Sequence, residues 1–181
     1  MERLAAAIRE SLAKGGAPMR EKRLEELVVP ASSYRRVYAD EPLRVWVQAL
    51  RDAMFQEVVG DVSQRGHRSI LVYERDETFV GMLRWTDVIR ALIPDYLEDQ
   101  AYLSSFTGMF LAQAKVLGKL SVSELVDDRP PLDVNVPLIE VVRVLIDRAA
   151  INLPVARDGE LVGIVRDKDI MLEVARAMLG D

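Results

Sequence analysis

The chain has 181 residues, of which 24 are lysine or arginine and 29 are aspartate or glutamate, so its net charge is −5. This length fits one ordinary domain or two small ones, and a hydrophobic content of 50% is typical of a soluble globular protein. The absence of cysteine and the single histidine, His67, exclude disulfide frameworks, thiol nucleophiles and histidine-rich metal sites. An acidic chain also lacks the dominant basic surface of a nucleic-acid-binding protein, so we expect no nucleic-acid partner.

Targeting and catalytic motifs are not found. The first residues carry charges and have no long apolar core, which is unlike a secretory signal. No run of about 18 uncharged apolar residues is present, so no membrane-spanning helix and no membrane partner are predicted. The sequence also has no phosphate-binding glycine loop and no nucleophilic serine motif. We therefore expect a soluble, cytoplasmic, non-catalytic protein.

Two helices are predicted outside the repeat that dominates the chain. The first is an alanine-rich amphipathic helix over residues 2–14, ended by Gly15-Gly16. The second is a connecting helix over residues 95–117, after Pro94, with apolar side chains that include Phe106, Phe110 and Leu117. We interpret both as packing against the rest of the fold, because an apolar helical stripe usually faces a core. A dimerisation surface or a lid is the alternative.

The rest of the chain is an imperfect repeat. Residues 69–92 and 151–174, aligned without gaps, share seven identical positions in 24. Both contain an apolar run, a charged turn, Val-Gly, two apolar residues, Arg, two residues and Asp. Upstream, Glu26-Leu27-Val28 resembles Glu124-Leu125-Val126, and Pro42-Leu43 resembles Pro137-Leu138. The first copy is longer, and we place its extra residues around 55–66.

Local signals predict the elements of each unit as short helix, extended piece, helix, strand, turn, strand and helix. Asp158-Gly159 between two apolar runs is a strong signal for a tight hairpin, whereas residues 74–78 lack glycine and predict a longer turn. The last helix is predicted from Asp167 to about Leu179. The helix after Pro137 has an apolar face at three- and four-residue spacing, formed by Leu138, Val141, Val142, Leu145 and Ile146.

Two such units cannot each bury a full core, but side by side they can share one. We therefore expect an α+β fold with two pseudo-symmetric units. The predicted division is an N-terminal helix (1–20), a first unit (21–93), a connecting helix (94–118) and a second unit (119–181).

These residues resemble a known family. LPVARDGELVGIVRDKDI, residues 153–170, is similar to the second half of a CBS domain, and PLDVNVPLIEVVRVLIDRAAIN, residues 131–152, is similar to its first half. TFVGMLRWTDVIRALI, residues 78–93, resembles the corresponding segment in the γ subunit of AMP-activated kinases. Two copies in tandem resemble a Bateman module, which implies units of β-α-β-β-α type.

The resemblance also implies a function. CBS pairs commonly bind adenosine-containing ligands such as AMP, ADP, ATP or S-adenosylmethionine in clefts between the units, regulate an attached or partner protein, and form homodimers. No cofactor is implied. In the family motif, Gly is followed by two apolar residues, Thr or Ser, two residues and Asp, and the Asp holds the ribose. This motif places Asp87 and Asp169 at the ribose, but Arg84 and Arg166 stand where the family has Thr or Ser.

The chemistry of these residue types leaves two interpretations. A carboxylate can accept both hydroxyls of a vicinal diol, and an arginine can grip a phosphate with two hydrogen bonds. Alternatively, each Asp caps its helix and each Arg fills the cleft by pairing with the acid. Arginines lining an open cleft would indicate a ligand sensor. Arginines paired with acids in a filled cleft would indicate a structural or protein-interaction module.

Further candidates are weaker. The resemblance places adenine against Val134, Ile151, Leu153 and Pro154 in one cleft, and against Tyr38, Ile70 and Leu71 in the other, although core packing explains each of them equally well. His67-Arg68 precedes a strand as a phosphate-binding His-Arg pair does in kinase γ subunits of this family, at a spacing one residue longer. We interpret Asp127-Asp128, beside Pro130-Pro131, as an exposed connector rather than a cation site. Gly81 and Gly163 are consistent with close strand–helix packing.

Overall fold

The computed structural model describes residues 2–13, 21–55, 68–93 and 109–179. The helices are α1 (Glu2–Ala13), α2 (Leu43–Phe55), α3 (Trp85–Ala91), α4 (Met109–Leu117), α5 (Leu138–Asp147) and α6 (Asp167–Leu179). The strands are β1 (Val29–Pro30), β2 (Arg36–Tyr38), β3 (Ser69–Tyr73), β4 (Phe79–Arg84), β5 (Leu132–Asp133), β6 (Asn152–Arg157) and β7 (Glu160–Arg166). Short 3-10 helices span Leu24–Leu27, Ala31–Ser33 and Val122–Glu124.

The strands form two sheets with the same internal order. One sheet runs β2-β3-β4 and the other β1-β7-β6-β5. In the first unit β2 is parallel to β3, and β3 forms an antiparallel hairpin with β4. In the second unit β5 is parallel to β6, and β6 forms an antiparallel hairpin with β7. The chain therefore contains two β-α-β-β-α units, β2-α2-β3-β4-α3 and β5-α5-β6-β7-α6, which confirms the predicted α+β fold.

The two hairpin turns differ as predicted. Asp158 and Gly159 have φ angles of 52° and 86°, so two residues with positive φ connect β6 to β7, as the twist of a tight hairpin requires. The first hairpin needs five residues, 74–78, and the Glu74 N–H donates to the Thr78 carbonyl at 2.8 Å. The extra residues placed around 55–66 lie almost entirely outside the described residues.

The gapless alignment of the two copies is wrong along the first strand of each hairpin. It sets Ser69 opposite Ile151, but Ser69 pairs with Arg84 in the sheet and Asn152 pairs with Arg166. Ser69 and Asn152 are therefore the equivalent residues. The first hairpin has one more residue in its turn than the second, residues 74–78 against 157–160, and this extra residue causes the offset, because the register shift is the same in both hairpins.

The segment that precedes each unit crosses to the other unit. β1 lies antiparallel to β7, with Val29 opposite Ile164 and Pro30 opposite Gly163. In the same way Asp127 forms a bridge with Met82 of β4, through two backbone hydrogen bonds of 3.1 Å. The two crossings are reciprocal, so each sheet is extended by a piece of chain from outside its own unit.

Both crossings depend on glycine. A Cβ on Gly163 would lie 2.1 Å from the Val29 carbonyl oxygen, and one on Gly81 would lie 2.3 Å from the Asp127 carbonyl oxygen. The close approach that these glycines allow is therefore to the crossing segment, and not to a helix as the sequence had indicated.

The core has three parts. The helical side of the β2-β3-β4 sheet buries Trp46 and Leu43 of α2, together with Leu117 and Val122 from the segment before the second unit. Between the two sheets lie Tyr34, Leu71, Met82 and Ile164. The helical side of the other sheet is formed by Leu24, Leu27, Val134, Val141, Leu145, Leu153, Val155, Val165 and Ile170. Leu24 and Leu27, within the range predicted for the first unit, thus complete the core of the second.

Two predicted apolar faces are only partly buried. On α5, Val141 and Leu145 are buried, but Ile146 is 72% exposed because it lies one position round the helix from Leu145 at the helix end. On α4, Leu117 is buried and Phe110 is 56% exposed, so only the end of this helix packs on the core. Residues 94–108 of the predicted connecting helix lie outside the described residues.

Helix α1 agrees with its predicted range to one residue and leaves Ile8 half exposed. The described part of the chain contains no helix long and apolar enough to cross a membrane. In that same part no group of three or more His, Cys, Asp or Glu side chains is arranged to hold a metal ion.

Candidate functional site: the two clefts

The first cleft is built around Arg84, the last residue of β4. Its side chain is only 8% exposed and points across to the second unit. Nε donates to Oδ1 of Asn152 at 3.1 Å, and Nη2 donates to the Asn152 backbone carbonyl at 3.3 Å. Nη1 donates to Oδ2 of Asp127 at 2.7 Å. Every nitrogen of the guanidinium therefore has a protein acceptor, as a buried arginine requires.

Asp127 also forms an ion pair with a second arginine, Arg129. Arg129 donates to it from Nε and from Nη2, each at 2.7 Å, so one carboxylate is held between two guanidinium groups. Burial alone would raise the pKa of Asp127, but the hydrogen bonds from Arg129 and Arg84 outweigh burial and hold its pKa well below the usual range. Asp127 is thus a half-buried ion-pair partner at 15% side-chain exposure, so its interpretation as part of an exposed connector is wrong, whereas Asp128 and Pro130 beside it are exposed as predicted.

Asp87 lies at the edge of this cluster and caps helix α3. Its Oδ2 accepts the backbone N–H of Arg84 at 2.9 Å and lies 3.6 Å from Nη1 of the same residue. The acid therefore satisfies a free backbone donor at the helix start, which is the alternative role that the sequence allowed.

A buried hydrogen bond joins the two units next to Arg84. Nδ2 of Asn152 donates to Oγ of Ser69 at 3.0 Å, and both residues are buried. Because Ser69 and Asn152 are equivalent positions, this bond lies where the pseudo-two-fold axis passes between the sheets. Arg84 donates to Asn152 beside it, so the first cleft is braced by side chains from both units.

The second cleft has a different pairing. Arg166, at the end of β7, forms a two-pronged ion pair with Asp169, and the bond from Nη2 to Oδ1 measures 2.8 Å. Both side chains are mostly buried, at 14% and 16% exposure. Burial raises the pKa of Arg166's neighbour Tyr34 to about 12; the charge of Arg166 opposes this rise and that of Asp169 adds to it. Asp169 occupies the same position of α6 that Asp87 occupies in α3, the third residue of the helix, but its carboxylate is bonded to the guanidinium of Arg166.

A single sequence difference accounts for the two pairings. Asp127 follows Glu124-Leu125-Val126, and the residue that follows Glu26-Leu27-Val28 is Val29. Both residues lie on the crossing segments, opposite β4 and β7 respectively. With an acid on its crossing segment, Arg84 bonds to Asp127; with valine there, Arg166 turns to Asp169. Asp127 and Asn152 are site residues that the sequence reasoning missed, although the repeat contained the signal for Asp127.

The predicted adenine contacts are mostly core residues. Val134 and Leu153 pack in the core of the second unit, Ile70 packs in that of the first, and Leu71 lies between the sheets. Pro154 is buried, and Ile151 is 40% exposed at the start of β6.

The other candidates lie apart from the arginine–aspartate pairs. The Tyr38 hydroxyl donates to Oε1 of Glu77 at 2.9 Å, and its ring stacks under Arg75, which places it at the first hairpin turn. Arg68 is exposed and stacks on Trp85, with its guanidinium carbon 4.6 Å from the ring centroid. His67 lies outside the described residues.

A cavity of about 370 Å³ adjoins Asp169. It lies between the crossing segment before the first unit and helix α6, with Leu27 and Pro30 on one side and Leu172 on the other. Ser33 and the charged groups of Lys22, Glu26, Glu173 and Arg176 provide polar atoms at its wall. A pocket with apolar walls and a few convergent polar groups is the kind that binds small molecules.

Comparison with known proteins identifies the family. The sequence matches the CBS domain family twice, over residues 35–94 and 122–176, which together exceed half of the chain. This chain therefore belongs to the CBS-domain family, as a tandem pair. No curated protein matches the sequence.

Solved structures share the fold at low sequence identity. A hypothetical conserved protein from Geobacillus kaustophilus superposes with a TM-score of 0.59 at 14% identity, covering 87% of this chain and 99% of that one. CBSX2, solved in complex with AMP, gives 0.58 at 17% identity and covers 87% and 99% of the two chains. CbpB, solved in complex with c-di-AMP, gives 0.54 at 16% identity and covers 88% of each.

Proposed function

We propose that this chain is a non-catalytic regulatory module that binds an adenosine-containing ligand in a cleft between its two CBS units. The observation that carries the proposal is the cavity lined by Asp169, an acid that is ion-paired with Arg166 at the junction of β7 and α6. The complexes of CBSX2 with AMP and of CbpB with c-di-AMP support a nucleotide as the ligand class. We place the protein in the cytoplasm, where such ligands are found.

The residues have separate roles in this proposal. Asp169 accepts hydrogen bonds from ribose hydroxyls, and Arg166 binds a phosphate. The adenine lies against the apolar wall that Leu27, Pro30 and Leu172 contribute. No bond is made or broken, so binding is the whole of the chemistry.

In this proposal the crossing segment before the first unit transmits the effect of ligand binding to that unit. Residues 26–30 and Ser33 line the cavity, Val29 and Pro30 pair with β7, and the chain then continues into β2 of the first unit. A ligand that contacts this segment and α6 together favours the arrangement in which both are in place. It shifts the equilibrium only by its difference in affinity for the two arrangements.

A thermal-shift scan tests the proposal, with AMP, ADP, ATP, S-adenosylmethionine and c-di-AMP as probes. A ligand that binds the native state raises the melting temperature, by an amount that grows with its concentration above the Kd. We expect at least one adenosine compound to raise it. No shift with any probe, in a sample that unfolds cooperatively, would contradict the proposal.

A protein-interaction module is the second candidate, because the arginines of both clefts are paired with acids. Large apolar side chains are also exposed on the helices of the second unit, among them Ile139 and Ile146 on α5 and Met178 on α6. Such a surface suits a homodimer or a regulated protein partner. If the scan shows no ligand while sedimentation shows a concentration-dependent dimer, this second candidate is favoured.

A further inference from the structure

Helix α1 and a groove on the second unit each have an apolar face that is exposed to solvent. We propose that α1 docks in this groove of its own chain, in exchange with the exposed arrangement of the helix. The inference goes beyond the proposed function, because it concerns a contact within the chain and needs no ligand.

The groove lies between helices α5 and α6 and has a volume of about 500 Å³. Its apolar lining comes from Leu138, Ile139 and Val142 on α5 and from Ile170, Val174 and Ala177 on α6. Ile139 is 73% exposed and Val174 is 37% exposed, so solvent reaches this lining. An apolar groove between two helices is the kind of surface that binds the apolar face of a third, amphipathic helix.

Helix α1 lacks the packing that a helix of its length needs. It has 12 residues, and a helix this short is marginal in water unless its apolar face packs against another surface. Every described side chain of α1 is exposed, Ile8 among them at 50%. In the sequence, Leu4, Ile8 and Leu12 recur at four-residue spacing, which is the pattern of an apolar helix face. No described residue of α1 lines the groove, so both faces are available to each other.

The short connection to the groove favours the chain's own helix as the occupant. Helix α1 ends at Ala13, and Glu21 and Lys22, which help to line the groove, begin eight residues later. Eight peptide steps reach at most about 28 Å, whereas a 12-residue helix is about 18 Å long, so α1 can fold back over the groove. A short tether keeps α1 at an effective concentration on the order of millimolar, which a second copy at micromolar concentration does not match.

Docking makes α1 a competitor of other partners. Ile139 is one of the exposed side chains that support a protein-interaction module, and it belongs to the groove that α1 covers. A partner that uses this surface has to displace α1 first. Its apparent affinity is therefore reduced in proportion to the fraction of chains in which α1 is released.

Cysteine labelling of the full chain with a maleimide tests the inference, because the chain contains no cysteine of its own. Ile139→Cys and Ile146→Cys are matched reporters. Both positions lie on α5, at 73% and 72% exposure, but of the two only Ile139 lines the groove. Ile8→Glu places a charge on the apolar face of α1 and opposes docking. We expect it to speed labelling at position 139 by a factor on the order of ten and to leave position 146 unchanged.

The control on α1 is Ala6→Glu. It adds the same charge between Arg3 and Glu10, which are its neighbours on the charged side of the helix, and it should leave both labelling rates unchanged. The inference is overturned if Ile8→Glu does not change labelling at position 139, or if Ala6→Glu acts as strongly as Ile8→Glu. It is also overturned if the shielding of position 139 disappears on dilution, because a second copy would then be the occupant. These readouts involve no ligand, so the proposed function stands or fails separately.

Discussion

At the scale of single residues, the acid at position 127 determines what Arg84 does. The guanidinium is buried at the contact between the units, and a buried charge persists only when it is paired and fully hydrogen-bonded. Asp127 supplies the opposite charge and Asn152 supplies the remaining acceptors. Arg84 therefore belongs to the structural framework that joins the units, whereas its equivalent Arg166 is ion-paired with Asp169 of its own unit.

Substitution of Asp127 by Asn tests this role. At pH 7 we expect Asp127→Asn to lower the free energy of unfolding by about 2–4 kcal/mol, because the buried Arg84 loses its hydrogen-bonded counter-charge and keeps only the more distant Asp87, at 3.6 Å. The lowered pKa of Asp127 adds stability above its unfolded value, near 3.9, and this stability is lost as the pH falls through the folded value. Urea unfolding should therefore show that the difference in free energy of unfolding between wild type and variant becomes smaller at acid pH.

The control for this measurement is Asp40→Asn. Asp40 is exposed and paired with Arg75, so its loss should cost less than about 1 kcal/mol. The role assigned to Asp127 would be contradicted if Asp127→Asn lowered the free energy of unfolding no more than the control does. It would also be contradicted if the loss in Asp127→Asn were the same at neutral and acid pH.

At the scale of elements, the crossing segments hold the two units together. β1 pairs with β7, and Asp127 bridges to β4, so each hairpin is bordered by chain from outside its unit. The crossings approach so closely that only glycine fits opposite them, at Gly81 and Gly163. These glycines are needed for space rather than for an unusual backbone conformation.

Gly163→Ala is expected to destabilise the protein by about 3 kcal/mol, since the new methyl group would overlap the Val29 carbonyl and force the crossing segment away. Gly159→Ala is the matched comparison. It meets no atom within 4 Å but has a φ of 86°, so it should cost only about 1 kcal/mol. Urea unfolding measures both, and an equal effect of the two changes would show that the crossing is looser than described.

The local elements were predictable and the relations between them were not. The hairpin at Asp158-Gly159, the start of α6 and the repeat itself are encoded by neighbouring residues, whose spacing and turn chemistry can be seen in the sequence. The crossing of residues 24–30 onto the second unit depends on contacts between distant parts of the chain. The pairing of Arg84 with Asn152 depends on the strand offset, which a gapless alignment conceals.

At the scale of the whole molecule, neither unit has a complete core of its own. The second unit needs Leu24 and Leu27 from before the first, and the first needs Leu117 and Val122 from before the second. Each of these four buried side chains contributes about 1.5–3 kcal/mol, which is a large part of the stability of a small domain. The pair should therefore unfold as a single cooperative body.

Two truncations separate this interdependence from the contribution of helix α1. The side chains described on α1 are exposed, so a chain without residues 1–20 should keep its melting temperature within a few degrees. A chain without residues 1–30 also loses β1, Leu24 and Leu27, and it should lose cooperative unfolding throughout, including in the first unit. Thermal unfolding followed by circular dichroism distinguishes the two. A cooperative transition in the shorter chain would show that the units are independent.

The crossing of β1 onto β7 also imposes an order of events during synthesis. Val29 leaves the ribosome long before Ile164, its partner, has been made. The apolar side chains of Leu24 and Leu27 therefore remain exposed to solvent until the β6-β7 hairpin has been synthesised. Closing so long a loop is slow compared with forming a local hairpin. The nascent protein thus reaches its final state only once nearly the whole chain is available, and the first unit emerges as an incomplete intermediate that chaperones can recognise.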